Sequence, residues 1–431
     1  MRSKYSWWSV YILGFLGSLA WGVENQYFNT FIYNEITPDP RPISWMVAAS
    51  AITATLASIF IGALSDRMRY KWGRKPFLLI GYILWGITTA AFPLSAFVSS
   101  IGIAIVLAIA FDCVMTFFGS SANDSVFHAY VADITTVENR GKVMGILEIL
   151  TWVAMLVVYG GAGFAIDYLG YYAFFYIIGG LVLILGLVAG INLKEPEKPQ
   201  APPEGSYFSQ IAGTFRWSVL RANENLLLLF ISITLWGIAQ QVFFPYLIIY
   251  INHYLKKTTA ESSIVIFLAI LLGGIALAYP LGMLVDKWGR KKVALLAILG
   301  EMIGLIAFSF SQSLIALVLT GILWLAPLSA WTIATGAWSK DLYPEDKRGQ
   351  FAGYLILFSV AFTMTIGPMI GSWLTTSFGI QAVINEQNGY IPTPLIFQVG
   401  GLATLLAAIP IYMMKKQTGT AQANTLAEGA K

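Results

Sequence analysis

Five carboxylates sit inside stretches of chain that otherwise carry almost no charge: Glu24, Asp112, Asp124, Glu148 and Glu301. A carboxylate in apolar surroundings is costly unless it is paired, hydrated or protonated, so each marks a place where a proton, a cation or a polar ligand could be handled. Glu24 is followed by Asn25, Gln26, Asn29 and Thr30, a run of hydrogen-bonding groups suited to substrate or proton binding. Asp112, Thr116, Ser120 and Asn123 recur at helical spacing and form one polar stripe; Asp124 follows it, and His128 stands one turn further on, where it could pair with Asp124. Glu148 precedes Trp152 by one turn and reads as an acid hydrogen-bonded beside an aromatic plate. Glu301 reads as structural, and His253 as a solvated surface residue.

Amides and aromatics complete the candidate set. Asn25, Gln26, Asn29, Asn123, Gln240 and Gln241 can each give and accept hydrogen bonds, as a polyol's hydroxyls require. The faces of Trp21, Trp152, Trp236, Trp324 and Trp331 could cover the apolar side of a sugar ring, although tryptophans near a membrane surface also serve as interfacial anchors. None of the 26 Lys and Arg residues lies within an apolar run, so an anionic substrate finds no obvious partner and a neutral or cationic one is favoured.

The elements that position these groups follow from composition. Of the 431 residues 57% are hydrophobic and 11% charged, against about a quarter charged in soluble domains. Twelve apolar runs, each near the roughly 20 residues that span a bilayer, lie at about 8–33, 44–64, 77–97, 103–130, 142–166, 171–193, 225–252, 262–285, 293–313, 314–338, 350–376 and 395–414. Runs so long and uniformly apolar must be helices, because backbone groups in lipid bond within their own segment. The expected fold class is an all-α membrane protein of twelve transmembrane helices. Basic residues fall at the N-terminus, in the even-numbered loops and in the tail, leaving only Arg41, Lys256 and Lys257 on the other side; both termini are therefore expected in the cytoplasm. Cys113 is the single cysteine, so disulfides contribute nothing, and the net charge of +4 belongs to loops and implies no nucleic-acid partner.

Three stretches occur twice in the same order. Trp21–Phe28, WGVENQYF, matches Trp236–Phe243, WGIAQQVF; Gly62–Phe77, GALSDRMRYKWGRKPF, matches GMLVDKWGRKK from Gly282; and Asp133–Gly141, DITTVENRG, matches Asp341–Gly349, DLYPEDKRG. Such internal similarity predicts two pseudo-symmetric six-helix bundles, residues 1–193 and 224–417, with a linker at 194–223 and a tail at 418–431. Phe208, Ile211, Phe215 and Val219 lie on one helical face of the linker, as expected of a short helix on the membrane surface.

Six plus six helices with a D-R-x-G-R-K type loop after the second span resemble the major facilitator superfamily. Within it, SDRMRYKWGRKPFLLIG and NDSVFHAYVADIT are similar to the corresponding stretches of the glycoside-pentoside-hexuronide cation symporters, relatives of the melibiose and sucrose carriers. The resemblance implies a cytoplasmic gate in which Asp66, Arg67, Arg74, Glu138 and Arg140 act on one side and Asp286, Arg290, Asp346 and Arg348 on the other, closing one state and parting in the next. It also places Asp124 at the family's fourth-helix aspartate. Melibiose-type carriers bear two aspartates on the second helix; those positions here are Ser58 and Ala54, so the sodium site is expected to be lost and a proton to be the coupling ion.

The expectation is thus an alternating-access carrier of a neutral sugar or glycoside in the plasma membrane. It would be monomeric, without metal or cofactor, with a proton on Glu24, Asp112 or Asp124. Substrate would be held by Glu24, Asn25, Gln26, Asn29, Asn123, Asp124, Glu148, Trp152, Trp236, Gln240, Gln241, Trp324 and Trp331. The alternatives are a proton-coupled exporter of cationic amphiphiles and a lipid carrier. An intramembrane enzyme is disfavoured by the absence of G-x-S-x-G and H-E-x-x-H patterns, and a sensor by tails too short for an output domain.

Overall fold

The computed structural model describes residues 5–199, 207–208, 211, 217–343 and 348–415. Ten of the described helices are long and apolar enough to cross a membrane. The longest, Glu138–Asn192, turns back at Gly170, whose φ of +82° lies in the left-handed region open to glycine, and so makes two passes. Residues 7–36, helical but wetter, supply the first pass. In chain order the passes are α1 (7–36), α2 (Pro40–Trp72), α3 (Lys75–Phe97), α4 (Ile101–Ile134), α5 (138–169), α6 (171–192), α7 (Glu224–Tyr254), α8 (Thr259–Trp288), α9 (Arg290–Ser309), α10 (Leu314–Leu342), α11 (Gly353–Phe378) and α12 (Leu395–Met413). Large apolar side chains such as Phe97, Ile103, Val106 and Ile315 point outward, as they must where the solvent is lipid.

Two features are absent from the sequence reading. Strands β1 (Ile380–Ile384) and β2 (Gln387–Ile391) form an antiparallel hairpin between α11 and α12, turning on Asn385 (φ 49°) and Glu386 (φ 64°). Both positions have the positive φ that a tight two-residue hairpin turn requires, met here by Asn-Glu rather than by the usual glycine. Several passes also widen into i→i+5 turns: α1 at Glu24–Phe28 and Ile32–Ile36, α4 at Ser120–Phe127, α8 at Ile270–Ile275. Turns of this kind rotate the following side chains, and two of them carry Glu24 and Asp124.

The two halves meet at one end and part at the other. At the end bearing the hairpin, a buried apolar cluster of the first half continues into Val242, Phe243, Tyr246 to Ile251, and Val265 of the second. At the opposite end, rich in basic residues, Leu226, Phe230, Val285, Trp331 and Phe351 form a separate cluster within the second half. Polar contacts follow the same division. Asn34 Oδ1 lies 2.8 Å from His253 Nε2, the Gly163 amide donates to Ser263 Oγ (3.0 Å), and the Ala260 amide donates to Asp167 Oδ2 (2.8 Å). His253 is therefore half-buried and partnered across the halves, not a solvated surface residue; the fold brings the ends of α1 and α7 together, which loop position alone does not reveal.

Little of the linker is described. Tyr207 donates to the Phe60 carbonyl of α2 (2.8 Å), and Phe208 is exposed. Phe215, the Val219 side chain and the tail beyond Lys415 lie outside the described residues.

Candidate functional site

The polar stripe of α4 divides into two centres. In the first, Ser50 and Thr116 both donate to Glu24 Oε1, over 2.8 and 3.1 Å. Asp112 stands beside Glu24 and Ser50, 1% exposed, and its Oδ1 has no hydrogen-bond partner. Glu24, Asp112, Ser50 and Asn29 line one narrow cleft, closed from the second half by Gln241, Pro245 and Met364. Asn29 donates its amide N–H to the Asn25 carbonyl (2.9 Å), which leaves Asn29 Oδ1 as a second unpaired acceptor.

In the second centre Asp124 is held by three donors. Trp21 Nε1 and Asn123 Nδ2 donate to Oδ1, each over 3.0 Å, and Ser120 donates to Oδ2 over 2.9 Å. The Tyr82 hydroxyl donates to Asn123 Oδ1 in turn (2.9 Å), and Trp85 packs on Trp21 at 4.9 Å. His128 is exposed and rests on Phe127 instead of pairing with Asp124, because the widened turn at Ser120–Phe127 displaces it from the face that a regular helix would give it. Asp124 and Asn123 accordingly lie inside the first bundle, away from the cavity described next.

That cavity, about 380 Å³, lies between the halves and is walled by α1, α5, α7, α8, α9 and α10. Its volume is toward the low end of small-molecule sites, about 300–1,000 Å³. Most of the wall is apolar or aromatic, including Met155, Phe244, Leu247, Ile266, Phe308 and Leu325, and no charged side chain among the described residues lines it. Polar groups are Asn25, Gln26, Gln241 and Ser329, with Trp152, Tyr159 and Trp324 adding a polar tip each. Asn25 and Gln241 line both this cavity and the acid cleft, so two amide side chains form the wall between them. Trp152 donates to Glu148 Oε1 over 3.1 Å, the expected pairing of acid and plate, and Glu148 itself is exposed outside the lining.

Three expected substrate ligands are engaged elsewhere. Glu301, fully buried on α9, accepts from Trp236 Nε1 (2.7 Å) and Gln240 Nε2 (2.5 Å), and Trp331 stacks on Trp236 at 5.3 Å. The carboxylate thereby draws Trp236 and Gln240 into the second bundle. Only Gln241, the next residue, faces the cavity. Sequence adjacency on a helix could not say which of two neighbouring amides points inward.

The match to known proteins agrees with this arrangement of two bundles around a cavity. Residues 10–277 and 255–430 match the pattern of the Major Facilitator Superfamily. The chain belongs to that superfamily. It is 22% identical over 285 residues to multidrug resistance protein 2 of Bacillus subtilis (strain 168), covering 66% of this chain and 68% of that one. In structure it resembles the nucleoside transporter NupG, solved as a mutant, with a TM-score of 0.73, 14% identity and coverage of 95% of this chain and 100% of the other. It also resembles a D-xylose–proton symporter, with a TM-score of 0.67, 16% identity and coverage of 96% and 98%. At such identities the likeness establishes the major facilitator fold.

The loops shared by major facilitator halves are paired differently from the expectation. Arg74, buried, donates to Asp133 Oδ2 (2.6 Å), Asp66 Oδ1 (2.7 Å) and Ser65 Oγ (2.8 Å), and Arg69 pairs with Asp133 at 3.0 Å. Burial alone would lower the Arg74 pKa, but its two aspartates outweigh that and hold it above its ordinary value. Arg290 repeats the pattern with Asp341 (2.8 Å) and Asp286 (3.4 Å). Beside the expected Asp66 and Asp286, the acids used are thus Asp133 and Asp341, which open the third matched stretch and could have been found there, and Glu138 is not among them. Glu138 is exposed at the start of α5, and Arg140 donates to Thr135 Oγ1 and to the Ala132 and Thr135 carbonyls, capping α4. Arg67 is half-buried on α2; Asp346 and the Arg348 side chain lie outside the described residues. Each ion pair named here joins groups within one half.

Proposed function

We propose that this major facilitator carrier moves a compact amphipathic molecule, neutral or cationic, in exchange for the binding and release of a proton at Glu24 and Asp112. The observation that carries the reading is the cavity wall. An aromatic or branched apolar body is matched by Trp152, Phe244, Ile266, Phe308 and Leu325, while a few heteroatoms are matched by Asn25, Gln26, Gln241 and Ser329. A free sugar fits this wall less well, since each hydroxyl buried without a partner costs about 1–3 kcal/mol. A glycoside with an aromatic aglycone is the second reading, favoured by the two tryptophans, Trp152 and Trp324, that line the cavity beside three amides. The multidrug resistance relative and the symporter of shared fold are in keeping with one reading each.

In the proposed cycle a proton enters the cleft and binds one carboxylate oxygen of the Glu24–Asp112 pair, Asp112 Oδ1 being without a hydrogen-bond partner among the described residues. Substrate sits across the Asn25–Gln241 wall and is felt by the cleft through those amides. With the basic end in the cytoplasm, as the distribution of Lys and Arg suggests, the structure is sealed outside and parted inside, an inward-facing state. The transmembrane orientation and a plasma-membrane location belong to this proposal.

Proteoliposome transport tests it. Radiolabelled 1-naphthamide, phenyl β-glucoside and D-xylose are offered under an imposed pH gradient, a sodium gradient or neither. Gradient-driven movement of the first two with protons supports the proposal. Movement of xylose alone would overturn the substrate class, and dependence on sodium alone would overturn the coupling ion.

A further inference from the structure

Three buried polar atoms on residues that line the cavity have no hydrogen-bond partner among the described residues: Gln26 Oε1, Trp324 Nε1 and Ser329 Oγ. The three residues are 0%, 4% and 6% exposed, so solvent does not satisfy these atoms from outside. Unpaired polar atoms at such depth are uncommon in folded proteins and call for a ligand or water to complete them.

The chemical sense of the first two is fixed. Gln26 Nε2 donates to the Phe244 carbonyl over 2.8 Å, and since a carbonyl only accepts, the amide cannot be flipped; Gln26 therefore offers an acceptor, Oε1, to the cavity. An indole nitrogen only donates, so Trp324 offers a donor. Ser329 serves in either sense. The rest of the wall is largely apolar.

We infer that Gln26 and Trp324 are specificity-determining residues that select a substrate carrying one N–H or O–H donor and one acceptor on a compact apolar body. A primary carboxamide or hydroxylated heteroaromatic meets this requirement. A permanently quaternary cation, with neither function, leaves both atoms unpaired. A carboxylate anion has no donor for Gln26 Oε1 and meets no cation. The inference rests on the amphipathic reading of the cavity and specifies it further.

Three naphthyl ligands of nearly equal size separate the claims: 1-naphthamide with donor and acceptor, 1-acetylnaphthalene with acceptor only, and 1-ethylnaphthalene with neither. Binding to the purified full-length protein in detergent is read by quenching of tryptophan fluorescence and by thermal shift. Expected is an order of affinity that follows the number of matched groups, with about tenfold per missing partner. Trp324→Phe keeps the aromatic face but removes the N–H; it should weaken both carbonyl ligands about tenfold and leave 1-ethylnaphthalene unchanged. Thermal unfolding of the unliganded variant reports whether it folds, and Ser329→Ala gives a second variant that leaves the ring in place. Equal affinity of the three ligands for the native protein, or equal losses for all three in Trp324→Phe, would overturn this inference and leave the amphipathic reading standing. Failure of all three to bind overturns that reading and the inference with it.

Discussion

Trp236 donates its indole N–H to Glu301 Oε2 across 2.7 Å, and the residue it matches in the first half, Trp21, donates to Asp124 Oδ1 across 3.0 Å. The two pairs are built from exchanged positions. Twelve residues after the matched glycines Gly73 and Gly289 the first half has Trp85 and the second has Glu301, while Asn123, beside Asp124, corresponds to Trp331. Each bundle thus contains a tryptophan on its first helix, a carboxylate and a second tryptophan, with the last two placed on opposite helices. Glu301→Leu should destabilise the protein by about 1–3 kcal/mol for each donor it strands, Trp236 and Gln240. The double variant with Trp236→Phe should lose less than the sum of the singles, measured by denaturation in detergent. Strict additivity would mean that the bond carries no stability.

Glu24→Gln and Asp112→Asn should abolish gradient-driven accumulation while counterflow exchange of 1-naphthamide persists. Each variant removes a titrating group and keeps the shape of the cleft that Ser50 and Thr116 complete. Asp124→Asn should behave differently: three donors within its own bundle hold that carboxylate in its ionised, accepting form, so the variant should cost stability and leave coupling intact. Loss of coupling in Asp124→Asn alone would move the proton site there.

Gln241→Leu replaces half of the amide wall between cavity and cleft by hydrocarbon. Substrate binding should weaken by no more than about tenfold, since one neutral hydrogen bond contributes about 0.5–1.5 kcal/mol. The ratio of protons to substrate moved should fall, read from simultaneous pH and tracer measurements. An unchanged ratio would show that the two sites communicate by another route.

Arg74 and Arg290 occupy matched positions yet should differ when replaced by alanine. Arg74 is 5% exposed in its side chain and holds Asp66, Asp133 and Ser65, whereas Arg290 is 31% exposed with partners half or more in solvent. Breaking a buried pair typically costs about 3–5 kcal/mol, an exposed one about 0–1 kcal/mol. Thermal unfolding of Arg74→Ala and Arg290→Ala should separate accordingly; equal losses would refute the assignment.

The hairpin fastens the second half onto the turn after α1. Tyr33 donates to the Tyr390 carbonyl (2.7 Å), the Tyr390 amide donates to the Pro38 carbonyl (3.0 Å), and Asn385 and Gln387 donate to the carbonyls of Asn34 and Ile36. Gly389 packs so closely that a Cβ there would lie 2.5 Å from Pro38. Gly389→Val should therefore unseat the hairpin and shift the population toward a state open at that end. A cysteine placed at Ser44 should then be labelled faster by a membrane-impermeant maleimide; an unchanged labelling rate would mean that the hairpin does not hold this end closed.

Much of this was legible in the chain. Charge is so costly in hydrocarbon that Lys and Arg are confined to the loops and helix ends; the twelve passes and the notice drawn to Glu24 and Asp112 follow from that constraint, and the two halves from the three stretches that occur twice. The pairing of Glu148 with Trp152 was legible too, since one helical turn separates them. Contacts between helices were not. A regular helix could not reveal that the turn at Ser120–Phe127 widens, so the polar stripe of α4 divides between Glu24 and Asp124 and His128 faces away. Nor could residue type distinguish Gln240, taken by Glu301 on another helix, from Gln241, which lines the cavity.

By itself the sequence determined the solvent, the number of passes, the internal duplication and the presence of buried acids, because each is set by composition and spacing along one segment. Tertiary structure decided which acids remain open to chemistry, which amides meet the cavity, and that the cavity is mostly hydrocarbon. Those outcomes depend on what a neighbouring helix places opposite each side chain, and a polar group already satisfied by such a neighbour has little left to offer a ligand.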